Sequence, residues 1–418
     1  MKLLLSADLH LGKQSSKVTD RSYHSTIECW RRLVALAIEQ PVDAVLLAGD
    51  VVDQRNKRFE SYGPLSDGIS RLAKAGIKTI VVSGNHDFDV LPQLTDRMAH
   101  DQFFLLGRNG KWESEVFTFG DEKLQIDGWS FPTNRVSVNP LDSYSLASQD
   151  VDLHLGMVHG DLDVTDSKYA PLTLESLKNS TPAGWLLGHI HKPELKHTEK
   201  PWVLYPGSPQ AMDPGESEVH GVWLLDTSSA QAPEMLPLSS VAYYSETIDI
   251  SDCDDDESIE GFVIREIKDL SRKNIDQSGV NLKVLSLRLT IKGSCHNPLQ
   301  VKHDLKHLDE FQVNLEGVEV GINKVTTDVR KNLDPDMFQG QKNALVKALS
   351  LLQELESGKY SSATENLLRF YNARSVKLSN NYPTLDSVNE ELEPEHQVGR
   401  LKRQLADIVS VIWGQIGD

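Results

Sequence analysis

The sequence predicts an α/β fold in which a pair of mixed β-sheets carries helices, followed by a small α+β block and a helical C-terminal region. Three observations predict it. Short apolar runs alternate with amphipathic stretches over the first two-fifths of the chain. Later hairpin-like pairs break the strict alternation of a doubly wound parallel sheet. Polar residues able to ligate metal stand just past several of the apolar runs. An α/β scaffold gathers distant side chains around one point at such strand ends.

Taken in order, Lys2–Ala7 reads as a strand and Asp20–Glu39 as an amphipathic helix through Ile27, Trp30, Val34 and Ile38. Asp20 is its expected N-cap, and Pro41 lies just past its end. Ala44–Ala48 is a strand, Phe59–Ala75 a helix ended by Gly76, and Ile77–Val82 a strand. Further strands are expected at Val116–Phe119, Lys123–Gly128, Val151–Val158, Trp185–Leu187 and Val222–Leu225. From Ser228 to Pro233 the composition shifts to that of a surface crossing, between domains or at the edge of one. The next block reads as strand Glu246–Ile250, helix Asp255–Lys268, strand Lys283–Ile291, helix Pro298–Phe311 and strand Val318–Val325. Leu333-Asp334-Pro335 marks a break before helices with apolar spacing through Leu345, Leu349, Leu352 and Leu355. A last helix repeats Val398, Leu401, Leu405, Ile408 and Ile412. The expected domains are 1–240, 241–335 and 336–418.

At 418 residues, the chain is long enough for two or three domains. Its formal net charge of −18 argues against a protein that coats nucleic acid by bulk electrostatics. A single nucleic-acid site stays open, because bound divalent cations reverse the local field. Cys29, Cys253 and Cys295 are far apart and match no metal spacing. An odd count with no secretory leader points to a reduced, cytoplasmic setting. Leu3-Leu4-Leu5 runs straight into Asp8 and is a strand, not a targeting segment. No stretch reaches the roughly 18 apolar residues of a membrane span.

The candidate ligands are Asp8 and His10, Asp50, Asn85, His159, and His189 with His191. An Asp-x-His pair alone says little, since Asp152-Leu153-His154 repeats it within a strand, where it reads as a surface or edge pair. Asp8 and His10 differ because they lie at and beyond a strand end. His189 and His191, two apart in an extended segment, project from one face. Gly188 before them leaves room. Asp50 has two oxygens with which to bridge two cations, and Asn85 offers a neutral amide oxygen. Such a set suits Mn²⁺, Fe²⁺ or Zn²⁺, and its lack of thiolates argues against structural zinc.

Asp8-x-His10, Gly49-Asp50-x-x-Asp53, Gly84-Asn85-His86-Asp87, His159-Gly160 and Gly188-His189-x-His191 together resemble the motif set of the calcineurin-like metallophosphoesterases. The resemblance implies a four-layer αββα sandwich of two mixed sheets between helices. It implies that Asp8, His10, Asp50 and His191 hold one metal and that Asp50, Asn85, His159 and His189 hold the other. It also gives His86 the role of contacting phosphate and protonating the leaving oxygen, with Asp53 orienting its ring. Phosphoprotein phosphatases of the superfamily carry Arg right after the second Asp. Here Gln54 follows and Arg55 comes next, which argues against phosphoprotein chemistry.

Finer features resemble the SbcD-type DNA repair nucleases: Asp8-Leu9-His10-Leu11-Gly12, Tyr205-Pro206-Gly207-Ser208-Pro209-Gln210, and a trailing α+β block like their capping domain. That resemblance implies Mn²⁺-dependent cleavage of DNA phosphodiesters, a homodimer, and an SbcC-like coiled-coil ATPase as partner. The stripe from Val398 to Ile412 either packs on its own domain or docks on that ATPase. Rival readings are a phosphodiesterase for a small molecule such as a cyclic nucleotide, and a structural subunit with vestigial metals.

Overall fold

The computed structural model describes residues 1–18, 20–53, 61–98, 100–228, 232–253, 258–295, 297–331, 344–379, 398–399, 401–402 and 404–405. Its first elements are β1 (Lys2–Ser6), α1 (Thr26–Glu39), β2 (Ala44–Ala48), α2 (Tyr62–Lys74), β3 (Lys78–Val82), α3 (Leu91–Met98) and β4 (Phe103–Leu105). There follow β5 (Glu113–Phe119), β6 (Glu122–Trp129), β7 (Leu153–His159), α4 (Leu174–Lys178), β8 (Gly184–Gly188), β9 (Glu194–His197) and β10 (Trp202–Tyr205). Then come β11 (Gly221–Asp226), β12 (Glu234–Pro237), β13 (Val241–Asp249), α5 (Ile259–Ser278) and β14 (Val284–Cys295). The last are α6 (Pro298–Asp304), β15 (Gln312–Leu315), β16 (Val318–Lys331), α7 (Ala344–Ser357) and α8 (Ser362–Ser379).

Two six-stranded sheets, ordered β12-β11-β1-β2-β3-β4 and β5-β6-β7-β8-β10-β9, are both mixed. β1 to β4 run parallel, as do β6, β7, β8 and β10, while β11, β12, β5 and β9 pair antiparallel. The period-2 alternation of each strand divides its apolar residues between two covers. Leu3, Leu5, Leu46, Ile80 and Val82 of the first sheet share a core with Leu124, Ile126, Leu155, Met157 and Leu186 of the second. On the other face of the first sheet, Leu4, Val45, Leu47 and Val81 pack with Trp30, Leu33, Ile69 and Leu72 of α1 and α2. The second sheet's outer face, with Trp129, Val158 and Trp185, is covered by residues of α4 and its flanking loops, such as Leu172 and Leu177. Helix, sheet, sheet and an outer α4-and-loop layer therefore stack as a mixed α/β fold.

A third sheet runs β13-β14-β16-β15. The chain divides into two compact units, one of Met1–Ile248, Glu260–Thr290 and Lys306–Thr326, the other of Asp249–Ile259, Ile291–Leu305 and Thr327–Asp418. Within the second, Glu354 near the end of α7 accepts from Ser361 N (2.6 Å) and Thr364 Oγ1 (2.7 Å), fixing the start of α8. Among the described residues no helix is long and apolar enough to cross a membrane.

Several local expectations change. α1 starts at Thr26, because Ser25 rather than Asp20 accepts from the first-turn amide of Glu28. Asp20 caps a preceding turn instead, accepting from Ser22 N and Tyr23 N. The crossing after Ser228 joins antiparallel β11 and β12 along one sheet edge. His154 is no surface residue: it is buried in β7 and its Nε2 donates to Asp127 (2.7 Å). The break at 333–335, Arg55 and Lys57 lie outside the described residues, as does most of the last helix.

Candidate metal centre

Parallel strands deliver the candidate ligands to one end of the paired sheets. Asp8 and His10 follow β1, Asp50 follows β2, Asn85 and His86 follow β3, His159 closes β7, and His189 and His191 follow β8. The loops are stitched together by backbone bonds, with Asp8 N donating to Gly49 O (3.0 Å), His10 N to Asp50 O (2.9 Å) and Gly160 N to Gly188 O (3.1 Å). Asp87 ties two loops at once, accepting from Gly84 N (2.8 Å) and Val51 N (2.7 Å). Asp50 Oδ1 accepts from His86 N (2.9 Å). Asp8, His10, Asp50 and His189 all hold positive φ, at 52°, 45°, 50° and 97°. These turns swing the side chains off the strand direction and into the cluster.

A Cβ at Gly188 would fall 1.8 Å from Ala48 O and 2.5 Å from His159 Nδ1. The glycine therefore serves His159 and β2 rather than making room for the histidines after it.

All nine predicted residues meet in this cluster. His10 Nε2 lies 3.1 Å from His191 Nε2 and 3.7 Å from Asp50 Oδ2. Ligand atoms of Asp8, His10 and His191 fall within 4.8 Å of one another, as do those of Asp8, Asp50 and His159. Asn85 Oδ1 stands 3.1 Å from His159 Nε2 and 3.2 Å from His189 Nδ1. His159 Nε2 is also 3.5 Å from Asp50 Oδ2. Asp53 Oδ1 sits among His10 Nδ1 (3.6 Å), Lys13 Nζ (3.5 Å) and His86 Nδ1 (4.0 Å). It touches the rear of His10 more closely than it touches His86.

Two carboxylates around the cluster, Glu216 and Asp161, went unnoticed in the sequence, and Asp87 was read only as part of the Gly84-Asn85-His86-Asp87 motif, with no role assigned. Glu216 Oε1 is 2.6 Å from His191 Nδ1, Asp161 Oδ1 is 3.3 Å from His189 Nε2, and Asp87 pins the loops as described. Only Asp161, two positions after His159, stands near a recognised motif residue other than Asp87. Glu216 lies in an Asp213-Pro214-Gly215-Glu216 turn with no local mark of its role.

Burial governs the charges. It pushes Asp8 up to about 7 despite the pull of His191, and pushes His159 down to about 4. His10 is lowered for the same reason. Burial opposes ionisation of Asp50 too, yet His159, His10 and His86 hold it below the ordinary carboxylate range. For His189 and His191 burial is outweighed by Asp161 and Glu216, and both stand above the ordinary range.

The donor set fits cations. His159 Nδ1 faces the carbonyl oxygen of Ala48 (3.0 Å), which only accepts, so its proton is there and Nε2 presents a lone pair. That lone pair points toward the Asn85 and Asp50 oxygens, acceptors facing acceptors in a buried site. Positive charge between them resolves the clash.

Residues 1–230, more than half of the chain, match the family model of the calcineurin-like phosphoesterase superfamily domain. The chain belongs to the calcineurin-like phosphoesterase superfamily. Over 233 residues it is 30% identical to the "uncharacterized metallophosphoesterase YhaO" of Bacillus subtilis (strain 168), covering 54% of this chain and 57% of that one. Over 230 residues it is 27% identical to the DNA double-strand break repair protein Mre11 of Methanosarcina mazei, covering 52% and 35%. The chain thus spans about half the length of the first relative and about a third of the second. Among solved structures, a dimetal phosphatase from Danio rerio is 13% identical over 54% of this chain and 91% of that one, at a TM-score of 0.35. Calcineurin-like phosphoesterases are metal-dependent hydrolases that use two metal ions, and the clusters above are this chain's candidate ligands.

Proposed function

We propose that this chain is a two-metal phosphodiesterase that cuts DNA, exonucleolytically and also internally, as the Mn²⁺-dependent nuclease subunit of a complex with an SbcC-like coiled-coil ATPase and a second copy of itself. The observation that carries phosphodiester hydrolysis is the convergence of the seven candidate ligand residues with a further imidazole, His86, whose ligand atom lies within 4.8 Å of those of His10 and Asp50. DNA as substrate is supported by the likeness to Mre11, whose name records double-strand break repair. Asp8, His10, Asp50 and His191 would hold one cation, and Asp50, Asn85, His159 and His189 the other. When bound, the cations supply Lewis-acid charge for a phosphoryl oxygen and for activating water.

The chain's own residues do the rest. His86 is 32% exposed, more than His191 at 28%, so it stands at the mouth of the cluster. Its backbone is fixed by Asp50, and its ring meets His10 edge-on at 5.0 Å. There it binds a phosphoryl oxygen and gives a proton to the leaving oxygen. Asp53 Oδ1, 4.0 Å from His86 Nδ1, is the group placed to orient the ring.

Purified protein with Mn²⁺ should degrade end-labelled linear DNA, with and without the ATPase. His86→Ala should lower the rate by about 10²- to 10⁴-fold while calorimetry still shows Mn²⁺ binding. Hydrolysis of cyclic nucleotides with no action on any DNA, even beside the ATPase, would sink the DNA reading.

A further inference from the structure

We propose that Glu216 and Asp161 set opposite tautomers on the two histidines of Gly188-His189-Ile190-His191, so that each carboxylate is the positioning residue for a different cation. The inference rests on the two-cation reading of the site and does not depend on DNA as the substrate.

A neutral imidazole has one N–H and one lone pair, so the nitrogen that donates outward decides which nitrogen can ligate. His191 Nδ1 donates to Glu216 Oε1 at 2.6 Å, which leaves Nε2 facing His10 Nε2 at 3.1 Å. His189 is reversed. Its Nε2 faces Asp161 Oδ1 at 3.3 Å, and its Nδ1 is the atom beside Asn85 Oδ1 at 3.2 Å. One short motif thus serves the Asp8–His10 side of the cluster through Nε2 and the Asn85–His159 side through Nδ1.

Both carboxylates are themselves held. Glu216 Oε2 accepts from Met212 N (2.8 Å) and Ser208 Oγ (3.1 Å), while Ser208 N donates to His191 O (2.9 Å), closing a ring of contacts around His191. Asp161 accepts from Ser167 Oγ, and its N donates to Tyr169 O (2.9 Å). The Tyr169 ring lies against His189, with centroids 4.9 Å apart and planes 33° from parallel. His159, by contrast, leans on an uncharged carbonyl. A carboxylate behind a ligating histidine fixes its ring and raises its basicity, and losing one costs about 10- to 100-fold in metal affinity.

Two measurements on the full chain test this. Long-range ¹H–¹⁵N correlations on histidine-labelled, metal-free protein, at a pH where the rings are neutral, should show Nδ1–H on His191 and Nε2–H on His189. The same tautomer on both would overturn the proposal. Calorimetric Mn²⁺ titration should show Glu216→Ala weakening one binding step by about 10- to 100-fold and Asp161→Ala weakening the other. Glu216→Gln, whose amide oxygen still accepts from Nδ1–H, should recover much of the loss. Both alanine variants weakening the same step, or neither weakening any, would refute the assignment. Wild-type protein that binds no Mn²⁺ would refute the two-cation reading itself, while the tautomers remain measurable without metal.

Discussion

Asp127 in β6 gathers four donors, His154 Nε2 (2.7 Å), Ser114 Oγ (2.6 Å), Tyr144 Oη (2.7 Å) and Gln125 Nε2 (3.1 Å). Burial resists its charge, but these bonds, His154's first among them, hold its carboxyl below the ordinary range. A carboxylate depressed in the native state stabilises the fold above its unfolded pKa of about 3.9. That contribution disappears as pH falls through the lower native value. Asp127→Asn should therefore flatten the acid limb of stability below about pH 4 and cost about 1–3 kcal/mol near neutrality. Urea denaturation from pH 3 to 7 checks both; an unchanged acid limb would contradict the account. The same residue shows a limit of sequence reading. Period 2 places Asp152 and His154 on one face but not whether that face is covered, and His154's partner lies 27 positions away on another strand.

At the scale of elements, α1 and α2 meet where a glycine allows it. A Cβ at Gly68 would lie 2.2 Å from Trp30 Nε1, whose N–H is already committed to Pro64 O (3.0 Å). Gly68→Ala should destabilise the protein by about 1–3 kcal/mol through overpacking. Gly63, in the same helix, has nothing within 4 Å of its added Cβ. Gly63→Ala should be neutral or stabilising, by up to about 1 kcal/mol. Denaturant melts of the pair compare them directly, and equal losses would mean that the Trp30 contact is not the cause. Elements with strong apolar faces were legible within a few residues, as β1, β2 and β3 show. The short edge strands β12 and β15 were not, because four residues with one neighbour carry little periodic signal. α1's start was misplaced because Asp20 and Ser25 both have capping chemistry, and only the fold decides which amides each one meets.

For the whole molecule, the decisive fact is a net charge of −18 combined with Asp8 and Asp50 buried side by side. On the two-cation reading, divalent cations bind only the folded cluster, so Mn²⁺ should raise Tm and EDTA lower it. At 100 times Kd the gain is about 2.7 kcal/mol. A melting curve indifferent to both reagents would contradict the ligand assignment. The convergence of the candidate ligands was legible because each follows an apolar run that becomes a parallel strand, and parallel strands end together. Glu216 and Asp161 were not, because their partners come from later or earlier loops that only the folded sheets bring near.

The left-handed turns at Asp8, His10, Asp50 and His189 have a consequence for stability as much as for catalysis. Side chains in that region cost roughly 1–3 kcal/mol each; they are held in place by the hydrogen bonds that tie the loops together, and the cost is further offset by a bound cation. Asn tolerates positive φ better than most residues, and Asp8→Asn also removes a carboxylate that burial already pushes toward neutrality. This variant should melt above the wild type in EDTA and below it in saturating Mn²⁺.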